Sequence, residues 1–341
     1  MTSRLFTSII IIGSLLFISC QEKTMEALPD FTHDSDKDSP KPWTHEKFDN
    51  NDQQWTFALF GDLTGGERDR IFEIGIAQLN LLKPELIVNV GDLIDGDYQQ
   101  ESDLHQQWDY FDERAAKAKA PVFYVGGNHD LTNETLWQVW DDRYGRRYYH
   151  FVYKNTLFLI LDTEDNTPKR IQEIATARSR AMDSVAQFGW EILDQTLYHN
   201  MPEQISGNIG EEQAAYFETV IAANPDVLHT FIFVHKAPWK NEDPEFVRIE
   251  QALSKQPYTL FNGHKHAFDH ELRNGRDYIR LATTGGVFLP DNGRSADHVT
   301  LVTVNREEAT IAHLLMAGIL DKTGKIPLGG ENLCFEETLC D

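Results

Sequence analysis

Short apolar runs recur from Trp55 onward, and most of them end at a glycine followed by a polar residue. Phe57-Ala58-Leu59-Phe60 leads into Gly61-Asp62, and Leu86-Ile87-Val88-Asn89-Val90 leads into Gly91-Asp92. Val122-Phe123-Tyr124-Val125 leads into Gly126-Gly127-Asn128-His129-Asp130. Thr230 to Val234 delivers His235, and Thr259-Leu260-Phe261 precedes Gly263-His264-Lys265-His266. Runs this short and this apolar predict buried strands. Between them, Glu67 to Leu82 places Ile71, Ile74, Leu79 and Leu82 near helical spacing, with Pro84 as a stop. Leu104 to Ala118, Glu211 to Ala223 and Glu245 to Lys255 also read as helices. Strands alternating with helices imply βαβ units. The polar residues then sit just past strand ends, where open α/β sheets place their ligands.

Other stretches break this rhythm. Tyr148 to Tyr153 and Leu157 to Leu161 predict a hairpin turning at Lys154-Asn155. Residues 163–209 carry mixed charge with helical stretches and no catalytic signature, and are expected to form an insertion or lid near the site. Tyr278 to Leu281, Val299 to Val304 and Ala309 to Leu315 read as further β. The expected main domain spans 54–316, with 317–341 as a tail.

The N-terminal 19 residues read as a targeting segment. Arg4 precedes an apolar stretch, Leu5 to Ile18, which is short for a membrane span of about 20 residues but suits a signal peptide. Leu16-Phe17-Ile18-Ser19-Cys20 resembles a bacterial lipoprotein box, which makes Cys20 the expected lipidation site; plain secretion with cleavage near Ser19 is the alternative. Residues 20–53, rich in Asp and with Pro40 and Pro42, read as a flexible acidic tether. The expected location is the bacterial cell envelope, lipid-anchored on the periplasmic side or the cell surface, with the membrane as a partner. Cys334 and Cys340 either close a small loop as a disulfide or remain free thiols.

The 341 residues include 41% hydrophobic and 11% aromatic side chains, enough for a large core, and carry a net charge of −23. Such a surface repels nucleic-acid backbones, so no nucleic-acid partner is expected and a nuclease is disfavoured. A small phosphoester held by cations is compatible with it, because local charge at a metal site opposes the global sign.

The polar residues at the strand ends offer carboxylate, amide and imidazole donors, which suit zinc, iron or manganese. Any one of these motifs alone is an ordinary turn, but five at successive strand ends point to one constellation. Their order and content resemble the calcineurin-like metallophosphoesterases over about residues 55–316. The resemblance implies a four-layer α/β/β/α sandwich with one or two divalent metal ions at an edge. It implies that Asp92 bridges two metals, that Asn128, His235 and His264 complete one site, and that Asp62 and His266 serve the other. It also implies hydrolysis of a mono- or diester by a metal-bound hydroxide. His129 is then placed beside the substrate, with Asp130 holding its ring, and Asp95 lends support.

One departure stands out. The family's first motif is Asp-x-His, whereas this chain has Asp62-Leu63-Thr64-Gly65-Gly66. The Asp62 site is therefore short of one ligand. That motivates an alternative reading as a non-catalytic envelope binding protein that kept the fold. Thr64 and Gly65 expose backbone N–H groups that suit a phosphate oxygen, or they form a plain turn and cap. Lys236, Trp239 and Lys265 lie beside ligand positions and are candidates to line the cleft.

Overall fold

The computed structural model describes residues 31–36, 38–47, 54–96, 100–305 and 308–337. Twelve strands form two sheets: β1 Phe31–His33, β2 Trp55–Phe60, β3 Leu86–Asn89, β4 Val122–Phe123, β5 Tyr149–Tyr153, β6 Thr156–Ile160, β7 His229–Phe233, β8 Tyr258–Asn262, β9 Asp269–Arg273, β10 Arg276–Arg280, β11 His298–Val304 and β12 Ala309–Leu315. The five-stranded sheet runs β12-β11-β2-β3-β4, and the seven-stranded sheet runs β1-β5-β6-β7-β8-β10-β9. Within them β2, β3 and β4 are parallel, as are β6, β7, β8 and β10. Within each sheet these parallel strands therefore end toward the same edge.

The alternation of side chains along each strand builds the layers. Phe57 and Leu59 face the other sheet and meet Phe158, Phe231, Phe233 and Phe261 in a shared core. Their neighbours Ala58 and Phe60 face the opposite way, onto α1 Ile71–Leu82, α2 Glu101–Ala115 and α4 Glu134–Tyr144 through Phe72, Phe111 and Trp140. On the far side, Leu157, Leu159 and Ile232 pack on α6 Glu211–Ala223 and α7 Pro244–Ala252 through Phe217 and Phe246. The result is the expected α/β/β/α sandwich.

Local chemistry explains where elements begin and end. Helix α1 starts at Ile71, not Glu67, because Arg70 sits in the left-handed region with φ 67. The hairpin turns at Lys154 and Asn155, both with positive φ, as a tight two-residue turn requires. Residues 163–209 hold the long helix α5 Pro168–Phe188 and a single-turn segment at Pro202–Gln204. The remaining helix, α3 Asn128–Leu131, is a single turn at the end of β4.

Two expectations about the flanks are corrected. The stretch read as a flexible tether is part of the fold at 31–36 and 38–47: β1 pairs with β5, and Trp43 is buried against Phe123. Its few aromatics supply the apolar surface that its composition as a whole lacks. The stretch read as a tail also packs down, with Phe335 buried beside Ile71, Ile74 and Met316. Cys334 is disulfide-bonded, its partner lying outside the described residues, as do Cys20 and the stretch read as a targeting segment. Among the described residues, no helix is long and apolar enough to cross a membrane.

Candidate metal centre

The glycine-polar motifs converge at the shared strand edge. Asp62 follows β2, Asp92 follows β3, Asn128 opens α3 after β4, His235 follows β7, and His264 and His266 follow β8. Two donor groups result, Asp92 with His235 and His264, and Asp62 with Asp92 and His266. Within each group the ligand atoms lie within 4.8 Å of one another, and Asp92 belongs to both. The loops are tight: a Cβ on Gly127 would stand 2.3 Å from Asp92 Oδ1, and one on Gly263 would stand 2.5 Å from Asp62 Oδ2. Asp92, His264 and His266 all take positive φ (57, 74 and 50), conformations that non-glycine residues avoid and that cluster at functional sites.

Hydrogen bonds to carbonyls fix the rings. A carbonyl only accepts, so His235 donates from Nδ1 to Val90 O (2.8 Å) and turns Nε2 toward Asp92 Oδ2 (3.2 Å) and Asn128 Oδ1 (3.1 Å). His266 donates from Nδ1 to Val287 O (2.7 Å), leaving Nε2 on the Asp62 side, 3.6 Å from Oδ1. His264 donates from Nε2 to Gln204 O (3.1 Å). Such outer hydrogen bonds are what orient imidazoles for metal.

The residues fit a metal. Asp62 is fully buried; its Oδ1 accepts from His264 N, while its Oδ2 has no hydrogen-bond partner. A buried carboxylate oxygen without a partner is costly unless a cation meets it. Burial raises the pKa of Asp62 despite His266 and His235. Asp92 is also desolvated, but His235 and His129 beside it hold its carboxyl well below the usual range. Burial opposes charge on His235 as well, yet Asp92 and Asp62 raise it to about 9. This acid-rich pocket thus draws positive charge to itself.

Residues 56–268 match the family of calcineurin-like phosphoesterases. The chain belongs to that family. No curated protein matches it by sequence. Among solved structures it resembles PhoD (11% identity, TM-score 0.53), covering 79% of this chain and 67% of that one. It also resembles the purple acid phosphatase PPD1 of yellow lupin, Lupinus luteus (13%, TM-score 0.51), covering 77% of this chain but about half, 52%, of the lupin chain. A dimetal phosphatase of Danio rerio is similar at 16% identity and TM-score 0.49, covering 77% of this chain and 100% of that one.

In this calcineurin-like phosphoesterase, the other residues singled out from sequence fall in three places. His129 lies at the cluster: its N–H donates to Asp92 Oδ1 (2.9 Å), and its Nε2 would be 3.7 Å from a Cβ on Gly65. Thr64 is buried and gives its hydroxyl to Asp95 Oδ1, so it adds no imidazole-like donor to the Asp62 group. Its N–H and that of Leu63 are taken by Asp92 O, both at 3.1 Å, which leaves no Thr64 amide for a phosphate. Trp239 and Lys265 line a cavity of about 120 Å³ beside His264, together with Ile205 and Arg280.

Two expected roles are corrected. Asp130 does not hold the ring of His129, which donates instead to Asp95 O (2.7 Å). Its carboxylate accepts the amides of Leu93 (3.0 Å), Ile94 (3.1 Å) and Gly127 (2.8 Å). Burial and Asp92 push its pKa up to about 8 against those three donors. Lys236 does not reach the cleft: it is buried, with Nζ on Glu164 Oε2 at 3.0 Å. Glu164 supplies a local acid, which the sequence places too far away to be foreseen.

Sequence reasoning missed one loop. Thr283 Oγ1 donates to Asp62 O (2.7 Å), Val287 O orients His266, and Arg68 ties Gly286 O (2.9 Å) to Asp297 Oδ1 (2.5 Å). Burial lifts the Asp297 carboxyl to about 6 even against Arg68. The signal was available: Thr283-Thr284-Gly285-Gly286 is another small, polar, glycine-rich run just past a strand.

Proposed function

We propose that this protein hydrolyses a small phosphoester, mono- or diester, with Asp92, Asn128, His235 and His264 holding one divalent cation and Asp62, Asp92 and His266 a second. The observation that carries this reading is the sharing of Asp92 between two donor groups at one sheet edge. A carboxylate is the donor type that can serve two cations at once. When bound, paired cations supply Lewis acidity toward phosphoryl oxygens and make an attacking water more acidic.

The chain's own residues do the rest. His129 donates from Nδ1 to Asp95 O; in its doubly protonated form it carries a second proton on Nε2, hands that proton to the leaving oxygen, and remains as the neutral Nδ1–H ring. The glycines at 91, 127 and 263 keep the wall of the site thin enough for ligands from different strands to meet. The apolar stretch at Leu5 to Ile18 and Cys20 support a lipid-anchored place in the cell envelope.

The test is a panel of chromogenic mono- and diesters assayed with manganese, iron and zinc. Turnover with at least one metal is expected. Bound metal with no turnover on any ester would sink the proposal in favour of a binding protein.

A further inference from the structure

Residues 163–209 leave the seven-stranded sheet after β6 and cross toward the metal centre. They touch it through the main chain of Gln204. The carbonyl of Gln204 accepts from His264 Nε2 at 3.1 Å and from Lys265 Nζ at 2.8 Å. His235 and His266 are oriented by carbonyls next to the sheets, those of Val90 and Val287. Among the described residues, the His264 ring has no hydrogen-bond partner except Gln204 O.

The turn that carries Gln204 is held at three points. Arg170, on the first turn of α5, makes a two-pronged pair with Glu203, Nε to Oε1 at 2.7 Å and a terminal nitrogen to Oε2 at 2.8 Å. Met201 packs into the apolar stripe of the same helix, on Ile174 and Ala177. Ser206 is buried and donates to Ala237 O at 3.1 Å, two residues beyond His235. Planar forks of the Arg–carboxylate kind fix geometry as well as charge.

We propose that this lid is the orienting element for His264, with Arg170 and Glu203 as positioning residues that hold the Gln204 carbonyl against the ring. With its proton kept on Nε2, His264 would have Nδ1 left as its ligating atom in the group it forms with Asp92 and His235. Lid and metal affinity are then linked: displacing the turn frees the ring and weakens the site. The proposal rests on the metal reading given above, but its test reads metal binding and not turnover.

The experiment is titration of metal-stripped protein with cobalt(II), followed by its visible absorption and by equilibrium dialysis. Arg170→Ala and Glu203→Gln are each expected to weaken the site that His264 serves about 10–100-fold, the usual effect of losing an outer hydrogen-bonding partner, and to alter the cobalt spectrum. The charge-reversed double variant R170E/E203R is expected to recover most of that loss. Arg248→Ala, which breaks a comparable pair with Glu218 between α6 and α7 (2.6 Å), serves as the control and is expected to leave both readouts unchanged. Wild-type affinity and spectrum in folded Glu203→Gln would overturn the proposal, as would losses no larger than those of Arg248→Ala. If Arg170→Ala does not fold, Glu203→Gln, which keeps the shape of the side chain, decides. Failure of the wild type to bind cobalt at all would count against the metal reading itself.

Discussion

His129 donates from Nδ1 to the main-chain carbonyl of Asp95 at 2.7 Å, and the carboxylate of that same Asp95 accepts the hydroxyl of Thr64. One residue therefore sets the tautomer of the ring and seats the first loop beside it. With Nδ1 donating to that carbonyl, the proposed proton exchange with substrate falls to Nε2. His129→Ala is expected to lower the rate on a chromogenic ester roughly 10²–10⁴-fold while metal content stays at the wild-type level. Steady-state kinetics with parallel elemental analysis checks this; an unchanged rate would remove His129 from the chemistry.

Asp92 is the member common to both donor groups. Replacing it with Asn keeps the size but removes the charge that two cations would share. Asp92→Asn is expected to lose most of the bound metal from both positions, measured by elemental analysis after dialysis. Full retention would contradict the shared role.

Gly127 has φ −108, a conformation open to any residue, so the need for glycine there is a matter of space. A Cβ would meet Asp92 Oδ1 at 2.3 Å and Asp92 N at 2.4 Å. Gly127→Ala is expected to cost about 1–3 kcal/mol of stability, the range for forcing extra atoms into a packed site, and to reduce metal uptake. Urea unfolding and dialysis would measure both. Wild-type values would show that the loop has room to give.

His229 gives a stability signal away from the centre. Burial, helped by Arg276, lowers its pKa to about 4 from an ordinary 6.5. Below 6.5 the unfolded chain takes up a proton that the folded ring refuses, so this group's contribution is whole above 6.5 and is lost as pH falls toward 4. Asp297 and Asp162, raised to about 6 and about 7 by burial, act in the opposite sense and favour the fold as pH falls. A single-residue comparison separates them. Between pH 6.5 and 4, His229→Gln is expected to lose stability more slowly than the wild type, by at most about 1.4 kcal/mol per pH unit. Parallel profiles in urea unfolding would refute the assignment.

Much of the sandwich was legible because strand periodicity and glycine stops act locally. Asp62, Asp92, Asn128, His235, His264 and His266 each follow an apolar run, and the structure brings all six to one edge. What escaped were contacts between segments far apart in the chain. Nothing near Asp130 in sequence indicates that its carboxylate would cap amides at Leu93 and Ile94, and nothing near Lys236 points to Glu164, 72 residues earlier. The composition of 31–47 masked the effect of Phe31 and Trp43, because two well-placed aromatics outweigh many solvated acids. Thr64 stands out in the sequence as a departure from the family motif, but its bond to Asp95 is a matter of loop geometry.

Asp130 stitches the main chain behind Asp92 to the main chain ahead of Asn128, and so makes two loops from separate strands a single rigid piece. A site braced in this way is expected to hold its shape before an ion arrives. Metal uptake then costs the dehydration of the cation and little ordering of the chain, unlike small domains that fold only around their metal. On the proposed metal reading, one ion is then expected to replace another without the protein coming apart.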